Sequence, residues 1–309
     1  NKSVRFLLQR NDIEVNKAGE SQETALILAC DVGHFGIVRR LLKCMTADEA
    51  NKRKESGSNA IFFASQNGHA KCVSLLIDHG VDMNGIGQDS PLYMSCQNGH
   101  FSTVQTILSK AKNNLINKHG SDGYTPLTVA AQQGFTRLVK LLLKELGIDV
   151  NKRNTSVDNS GPTALWLASQ NGHNNVVRAL LKFPGINVNV GVASCGGATP
   201  LHLASMQGNI DIVRLLLARD DIDVNLSVGF GEADTCRMVA LTMAAHKQHM
   251  AIVKLLWHRT DVAWRELPSE DEEDDEDDED DEDDEDDEDE EQEQQDQEQQ
   301  DQEQQDQEQ

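Results

Sequence analysis

One glycine returns along the chain at near-regular intervals: Gly33, Gly68, Gly99, Gly134, Gly172 and Gly208, with Gln248 in the seventh place. The intervals are 35, 31, 35, 38, 36 and 40 residues. A period of this size belongs to solenoids, in which each unit buries its apolar face only against its neighbours.

Nine residues before the anchors stand Thr24, Asn59, Ser90, Thr125, Thr163 and Thr199, then Val239. The first six are good N-caps, whose side-chain oxygens accept from otherwise unpaired N–H groups at a helix start. The next position holds Ala25, Ala60, Pro91, Pro126, Ala164, Pro200 and Ala240. Proline suits that place because its missing N–H would have had no partner. A short helix therefore begins here, and the glycine stops it by taking the left-handed conformation that ends helices. Five residues after the anchor all seven copies carry Val: Val38, Val73, Val104, Val139, Val177, Val213 and Val253. An apolar pair follows, such as Leu41–Leu42 or Leu216–Leu217. That spacing predicts a second helix with one buried face. Each unit closes on an Asn: Asn16, Asn51, Asn84, Asn117, Asn151, Asn189 and Asn225. The distance from closing Asn to next cap varies from 6 to 14 residues. Length variation is thus confined to the connecting loops, which tolerate insertion at small entropic cost. The longest, 151–163 and 225–239, are expected to project furthest.

"TPLHLASMQGNIDIVRLLLARDDIDVN" (Thr199 to Asn225) resembles an ankyrin repeat at nearly every position. "GYTPLTVAAQQGFTRLVKLLLKELGIDVN" (Gly123 to Asn151) and "TALWLASQNGHNNVVRALLK" (Thr163 to Lys182) are similar to it almost as closely. The resemblance implies an all-α solenoid of stacked helix–turn–helix units with projecting β-hairpin or loop fingers. It divides the chain into a partial first repeat (1–18), an array of about seven repeats with a degenerate last one (19–263) and a tail (264–309). "SVRFLLQRNDIEVN" (Ser3 to Asn16) fits the second helix and closing Asn of a unit lacking its first helix, so at least half a repeat is expected upstream.

The formal net charge of −24 hides two different segments. Residues 270–291 are 22 consecutive acids, and seven more follow by 308, with no Lys or Arg among them. Taking these 29 from 52 acids leaves 23 against 28 bases, so the remainder is mildly basic. The tail has no apolar residue after Pro268. It is expected to be disordered, because nothing in it repays ordering entropy by burial. Its short periods are also those of slippage products, and solvation is its plainest role. Dense carboxylates attract basic proteins such as histones. The tail is also a candidate for screening the binding face of the array. Phosphate repulsion disfavours direct binding of nucleic acid. Six Cys lack the spacing of a disulfide scaffold, and no apolar run reaches the ~18 residues of a membrane span. An intracellular monomer, cytoplasmic or nuclear, is expected.

His69 and Cys72 stand three residues apart, a metal-ligand spacing. The column of His69 also contains His34, His100, Phe135, His173, Asn209 and His249. Phe binds no metal, and neighbouring units are too far apart to share ligands at ~2.0–2.3 Å from one zinc. Cys72 stands in the column that holds Ile37, Leu138, Val176, Ile212 and Ile252. Both are read as scaffold. No phosphate loop, zinc-protease motif or nucleophile elbow occurs, so neither catalysis nor a cofactor is expected.

The resemblance places partner binding on a concave face made by the fingers and the exposed ends of the first helices. The residues there are Gln66, Asn67, Gln97, Asn98, Gln132, Gln133, Gln170, Asn171, Met206 and Gln207. Amides both donate and accept. Tyr124, at a finger tip, is the strongest single anchor because Tyr gives area at low entropic cost. The resemblance further implies β-hydroxylation of a closing Asn, with Asn84, Asn151 and Asn225 as candidates. The primary reading is a scaffold that binds another protein. The alternatives are an accessory segment of a larger enzyme or channel, and a nuclear histone-associated protein acting through its tail.

Overall fold

The computed structural model describes residues 2–10, 13–19, 22–84, 89–110, 115–154, 160–229 and 237–259. The chain divides into two units, Asn1–Asp261 and Val262–Gln309, and all the described residues belong to the first. The expectation of a disordered acidic tail therefore concerns residues outside the described ones.

A short helix α1 (Lys2–Leu7) comes first. Helix pairs then follow in register with the sequence period: α2 (Ala25–Asp31) with α3 (Phe35–Leu42), then, after a single turn α4 (Ala47–Ala50), α5 (Ala60–Gln66) with α6 (Ala70–Asp78). The series continues with α7 (Pro91–Gln97) and α8 (Phe101–Lys110), α9 (Pro126–Gln133) and α10 (Thr136–Leu142), and α11 (Ala164–Gln170) and α12 (Asn174–Leu181). It ends with α13 (Pro200–Gln207) and α14 (Ile210–Leu217), then α15 (Ala240–His246) and α16 (Met250–Trp257). First helices pack on first helices and second on second, giving two layers. Helices of seven to ten residues are marginal alone, so this lateral packing is what makes them stable.

The caps work largely as their residue types predict. The side chains of Thr24, Asn59, Ser90, Thr125 and Thr163 each accept from the N–H three residues on, at 3.1–3.3 Å. The sixth differs. His202 Nδ1 accepts from both the Thr199 hydroxyl (2.7 Å) and its backbone N–H (3.3 Å). At Val239, which has no side-chain oxygen, Thr242 Oγ1 accepts from the Val239 N–H at 3.0 Å.

The glycine stops have a second cause besides their φ of +76° to +83°. A Cβ on Gly33, Gly68, Gly134 or Gly208 would lie 2.5–2.7 Å from the imidazole of His69, His100, His173 or His249, each one repeat on. At Gly99 the ring is Phe135, at 2.8 Å. The His column is thus a stacking column, which is why Phe can replace His in it. Where the ring is imidazole, its Nε2–H also donates to a carbonyl of the preceding first helix: Asp31, Gln66, Gln132 or Met206, at 2.9–3.2 Å. Cys72 is buried in the core beside Val73 and Leu76, with its thiol pushed up to about 11 by burial.

One apolar cluster runs through all the repeats between the two layers. The first repeat also leaves Phe6, Leu7, Leu28 and Val32 largely exposed. A second cluster, of Trp166, Leu167, Val192, Ala198, Leu203, Val228 and Met243, lies under the later loops. Residues 155–159 and 230–236 of the two loops expected to project furthest lie outside the described ones; the cluster takes in Val228 of the 225–239 loop. The described ends of that loop form a short antiparallel ladder, β1 (Val228–Gly229) with β2 (Arg237–Met238). Val228 is buried, and the Gly229 N–H donates to Gly196 O at 3.1 Å, so this described end of the loop lies against its neighbour. Apolar residues within the insertion are the reason: burying them is worth more than extending them into water.

Candidate functional site

The row expected to meet a partner lies at the C-terminal ends of α5, α7, α9, α11 and α13. Its asparagines and glutamines behave differently. Asn67 Nδ2 donates to the backbone and carboxylate oxygens of Asp31, both at 2.9 Å. Asn171 Nδ2 donates to Gln132 O at 2.8 Å, and Asn98 Nδ2 to Met94 O at 2.9 Å. Asn67 and Asn171 thus brace the stack, while Asn98 caps its own helix. By contrast, the side chains of Gln66, Gln97, Gln132, Gln133, Gln170 and Gln207 make no hydrogen bond among the described residues. Gln133, Gln170 and Gln207 are exposed, while Gln66, Gln97 and Gln132 are half-buried. Met206 is half-buried against the second apolar cluster.

Tyr124 is half-buried and packs against both clusters. Burial, then the nearby Asp122 carboxylate, raises its phenol above the usual value, and a hydrogen bond with the Asn154 side chain opposes this. A residue that sequence reasoning passed over sits beneath it. Tyr93 is buried, and its hydroxyl donates to Asp122 Oδ2 at 2.5 Å. Burial first, then that hydrogen bond, holds this phenol protonated far above the ordinary range. Asp122 Oδ1 meanwhile accepts from the Tyr124 N–H at 3.0 Å, so one carboxylate ties a buried aromatic to the finger above it. The signal was a Tyr at the third position of a first helix, where other copies carry Ile, Phe, Thr, Trp or His.

Neighbouring fingers are cross-linked by polar contacts. Arg53 pairs with Asp82 at 2.9 Å, and Asp89 Oδ1 accepts from the Ser121 N–H at 2.7 Å. Asn154 Nδ2 donates to Asp122 O at 3.0 Å, Arg153 donates to Gly191 O, and Trp166 Nε1–H donates to Ala198 O at 2.7 Å. The face is therefore preorganised rather than assembled from loose loops.

The closing asparagines form a ladder on the loop side. Asn151 Nδ2 donates to Gly185 O and its Oδ1 accepts from the Asn187 N–H, both at 2.8 Å. Asn117 and Asn189 repeat the pattern. Of the three hydroxylation candidates, Asn151 is thus engaged on both sides. Asn84 and Asn225 are exposed and, among the described residues, hydrogen-bond only within their own turns, apart from Arg53 donating to the Asn84 carbonyl. Among the described residues no group of three or more His, Cys, Asp or Glu is placed to hold a metal ion. Nor is any described helix long and apolar enough to cross a membrane.

The family model for ankyrin repeats (3 copies) matches residues 1–87, 84–154 and 152–228. Among curated relatives, the tyrosine-protein kinase HTK16 of Hydra vulgaris is 30% identical over 124 residues, covering 39% of this chain and 16% of the kinase. A transient receptor potential cation channel subfamily A member 1 homolog of Caenorhabditis elegans is 30% identical over 150 residues, covering 48% of this chain and 12% of the channel. The chain thus spans well under a quarter of either relative. The crystal structure of the human ASB11 ankyrin repeat domain superposes with a TM-score of 0.60 at 21% identity, covering 80% of this chain and all of that one. That likeness shows the fold. With cap, glycine, stacking ring and closing Asn repeated in register, and the family match spanning most of its length, the chain belongs to the ankyrin-repeat family.

Proposed function

We propose that this chain is a non-catalytic interaction module whose protein partner binds across the ends of the first helices. The observation that carries this reading is the run of glutamine side chains at Gln66, Gln97, Gln132, Gln133, Gln170 and Gln207, none of which makes a hydrogen bond among the described residues. Each offers a donor and an acceptor on a backbone already held by stacking, so little ordering entropy opposes binding. Asn67 and Asn171 serve the same face by bracing it, Asn98 by capping its own helix, and Met206 and Tyr124 supply apolar contact. A Gln132→Ala, Gln170→Ala, Gln207→Ala variant is expected to keep its unfolding midpoint and lose the proteins that the wild type captures from native extract. Unchanged capture would remove the row from the interface.

A second reading makes the array an accessory segment of a larger enzyme or channel. Its support is the pair of relatives above, in which the matched part is a small share of a kinase and of a channel. Immunoblotting of native material with an antibody against the array tests it: a band near the size of 309 residues opposes the reading, and a much larger one favours it. For residues 270–291 we propose solvation together with salt-sensitive attraction of basic proteins such as histones. If a closing Asn is hydroxylated, Asn84 and Asn225 are the accessible substrates. The proposed setting is a monomer in cytoplasm or nucleus.

A further inference from the structure

The layer of second helices carries a different chemistry from the glutamine row. Between α10 and α12 lies a groove of about 450 Å³. Half-buried Leu143 and Phe183 contribute its apolar lining. Lys140 and Lys144 line one side, and Arg178 and Lys182 the other. Each pair is four residues apart, with Lys144 and Lys182 just past the last residues of α10 and α12. No carboxylate lines the groove, and none of the four exposed cations makes a hydrogen bond or ion pair among the described residues.

Elsewhere on this layer some basic side chains have partners, while those of Arg39, Arg214 and Lys254 make no hydrogen bond or ion pair among the described residues. Lys110 pairs with Asp78 at 2.6 Å, Arg219 with Asp221 at 2.9 Å, and Arg137 stacks over Phe101 at 4.5 Å. Cations near a helix C-terminus complement the dipole there. That effect accounts for basic residues on each helix singly. It does not require four unpaired charges from two helices to face one apolar-lined cleft, where they repel one another until an anion is present.

We propose that this groove is a second docking site, separate from the glutamine row, for an acidic segment of a partner protein that also carries large apolar side chains. Carboxylates of such a segment lie along the two cationic sides, and its apolar side chains cover Leu143 and Phe183. A nucleic-acid backbone satisfies the cations but gains nothing from the apolar lining.

The test uses the full chain at physiological salt and fluorescence anisotropy with a labelled helical Asp/Glu-rich peptide bearing a leucine at each turn. The comparison probes are the same peptide with serine for leucine, a single-stranded oligonucleotide, and vesicles containing anionic lipid. The leucine peptide is expected to bind at least about tenfold more tightly than the serine peptide, a difference of about 1.4 kcal/mol. A Lys140→Ala, Lys144→Ala, Arg178→Ala, Lys182→Ala variant, altered only at exposed positions, is expected to lose binding of both peptides. Phe183→Ser is expected to abolish the preference for leucine while keeping the affinity for the serine peptide. Gln132→Ala with Gln170→Ala is expected to leave all of this unchanged. The proposal is overturned by failure to bind the leucine peptide, equal affinity for the two peptides, or undiminished binding by the quadruple variant. Tighter binding of the oligonucleotide or the vesicles would overturn it equally.

Discussion

Each anchor glycine except Gly172, which faces Asn209 rather than a ring, meets two demands at once. Its φ lies in the left-handed region, and its missing Cβ leaves the surface on which the next repeat's ring stacks. Gly134→Ala therefore combines a left-handed penalty of ~1–2 kcal/mol with overpacking against His173 of ~1–3 kcal/mol. The expected loss is about 2–5 kcal/mol by denaturant unfolding. At Gln248, with φ +64° and no ring recorded over it among the described residues, the opposite change is expected. Gln248→Gly should stabilise by up to about 1 kcal/mol, the relieved strain being offset in part by glycine's greater chain entropy. A near-neutral Gly134→Ala would show that the ring does not depend on the glycine. His202 brings a pH dependence. Burial lowers its pKa below the ordinary value, against the opposing hydrogen bonds to the Leu226 and Met238 backbones. The unfolded chain, with an ordinary pKa of ~6.5, then binds more protons than the folded one as pH falls below that value. The contribution is fully present above ~6.5 and is lost as pH drops toward the folded pKa. The thermal midpoint should fall between neutral and mildly acid pH, and His202→Gln should flatten that fall even though it lowers the midpoint itself. An unchanged slope would assign the acid sensitivity to other groups.

At the scale of elements, the closing asparagines carry the register from one loop to the next. Asn151 supplies one donor and one acceptor to the following loop, and removing it leaves both backbone partners unmatched. Asn151→Ala is expected to cost about 1–3 kcal/mol. Asn225→Ala, which deletes no bond to another repeat among the described residues, should stay within about 0.5 kcal/mol. Equal effects would mean that the ladder does not hold the stack. The Asn column itself was plain in the sequence. Its bonding was not, because each partner lies thirty or more residues further along. The loops divide the same way. Their variable lengths were legible, but whether Val228 points into water or folds back under Met243 depends on a surface supplied by other repeats.

For the array as a whole, the mild positive charge of the body is an average over unlike faces. Finger carboxylates such as Asp82, Asp89 and Asp122 are tied up in cross-links, and unpaired cations gather on the layer of second helices. The helix pairs, their caps and their buried faces follow from signals within about ten residues, so the sequence alone establishes them: a cap oxygen, a glycine stop and an apolar spacing act locally. Which polar side chains remain free to meet a partner is a different question. Gln66 and Asn67 are neighbours of like chemistry, yet Asn67 is tied to Asp31, 36 residues earlier, and the side chain of Gln66 makes no such bond. Lys140 and Lys144 join Arg178 and Lys182 in one groove although they stand 38 residues apart in the chain. A linear period specifies the face of each helix but not the offset at which successive repeats meet. Only the stacked structure decides which side chains that offset uses as scaffold and which it leaves to solvent.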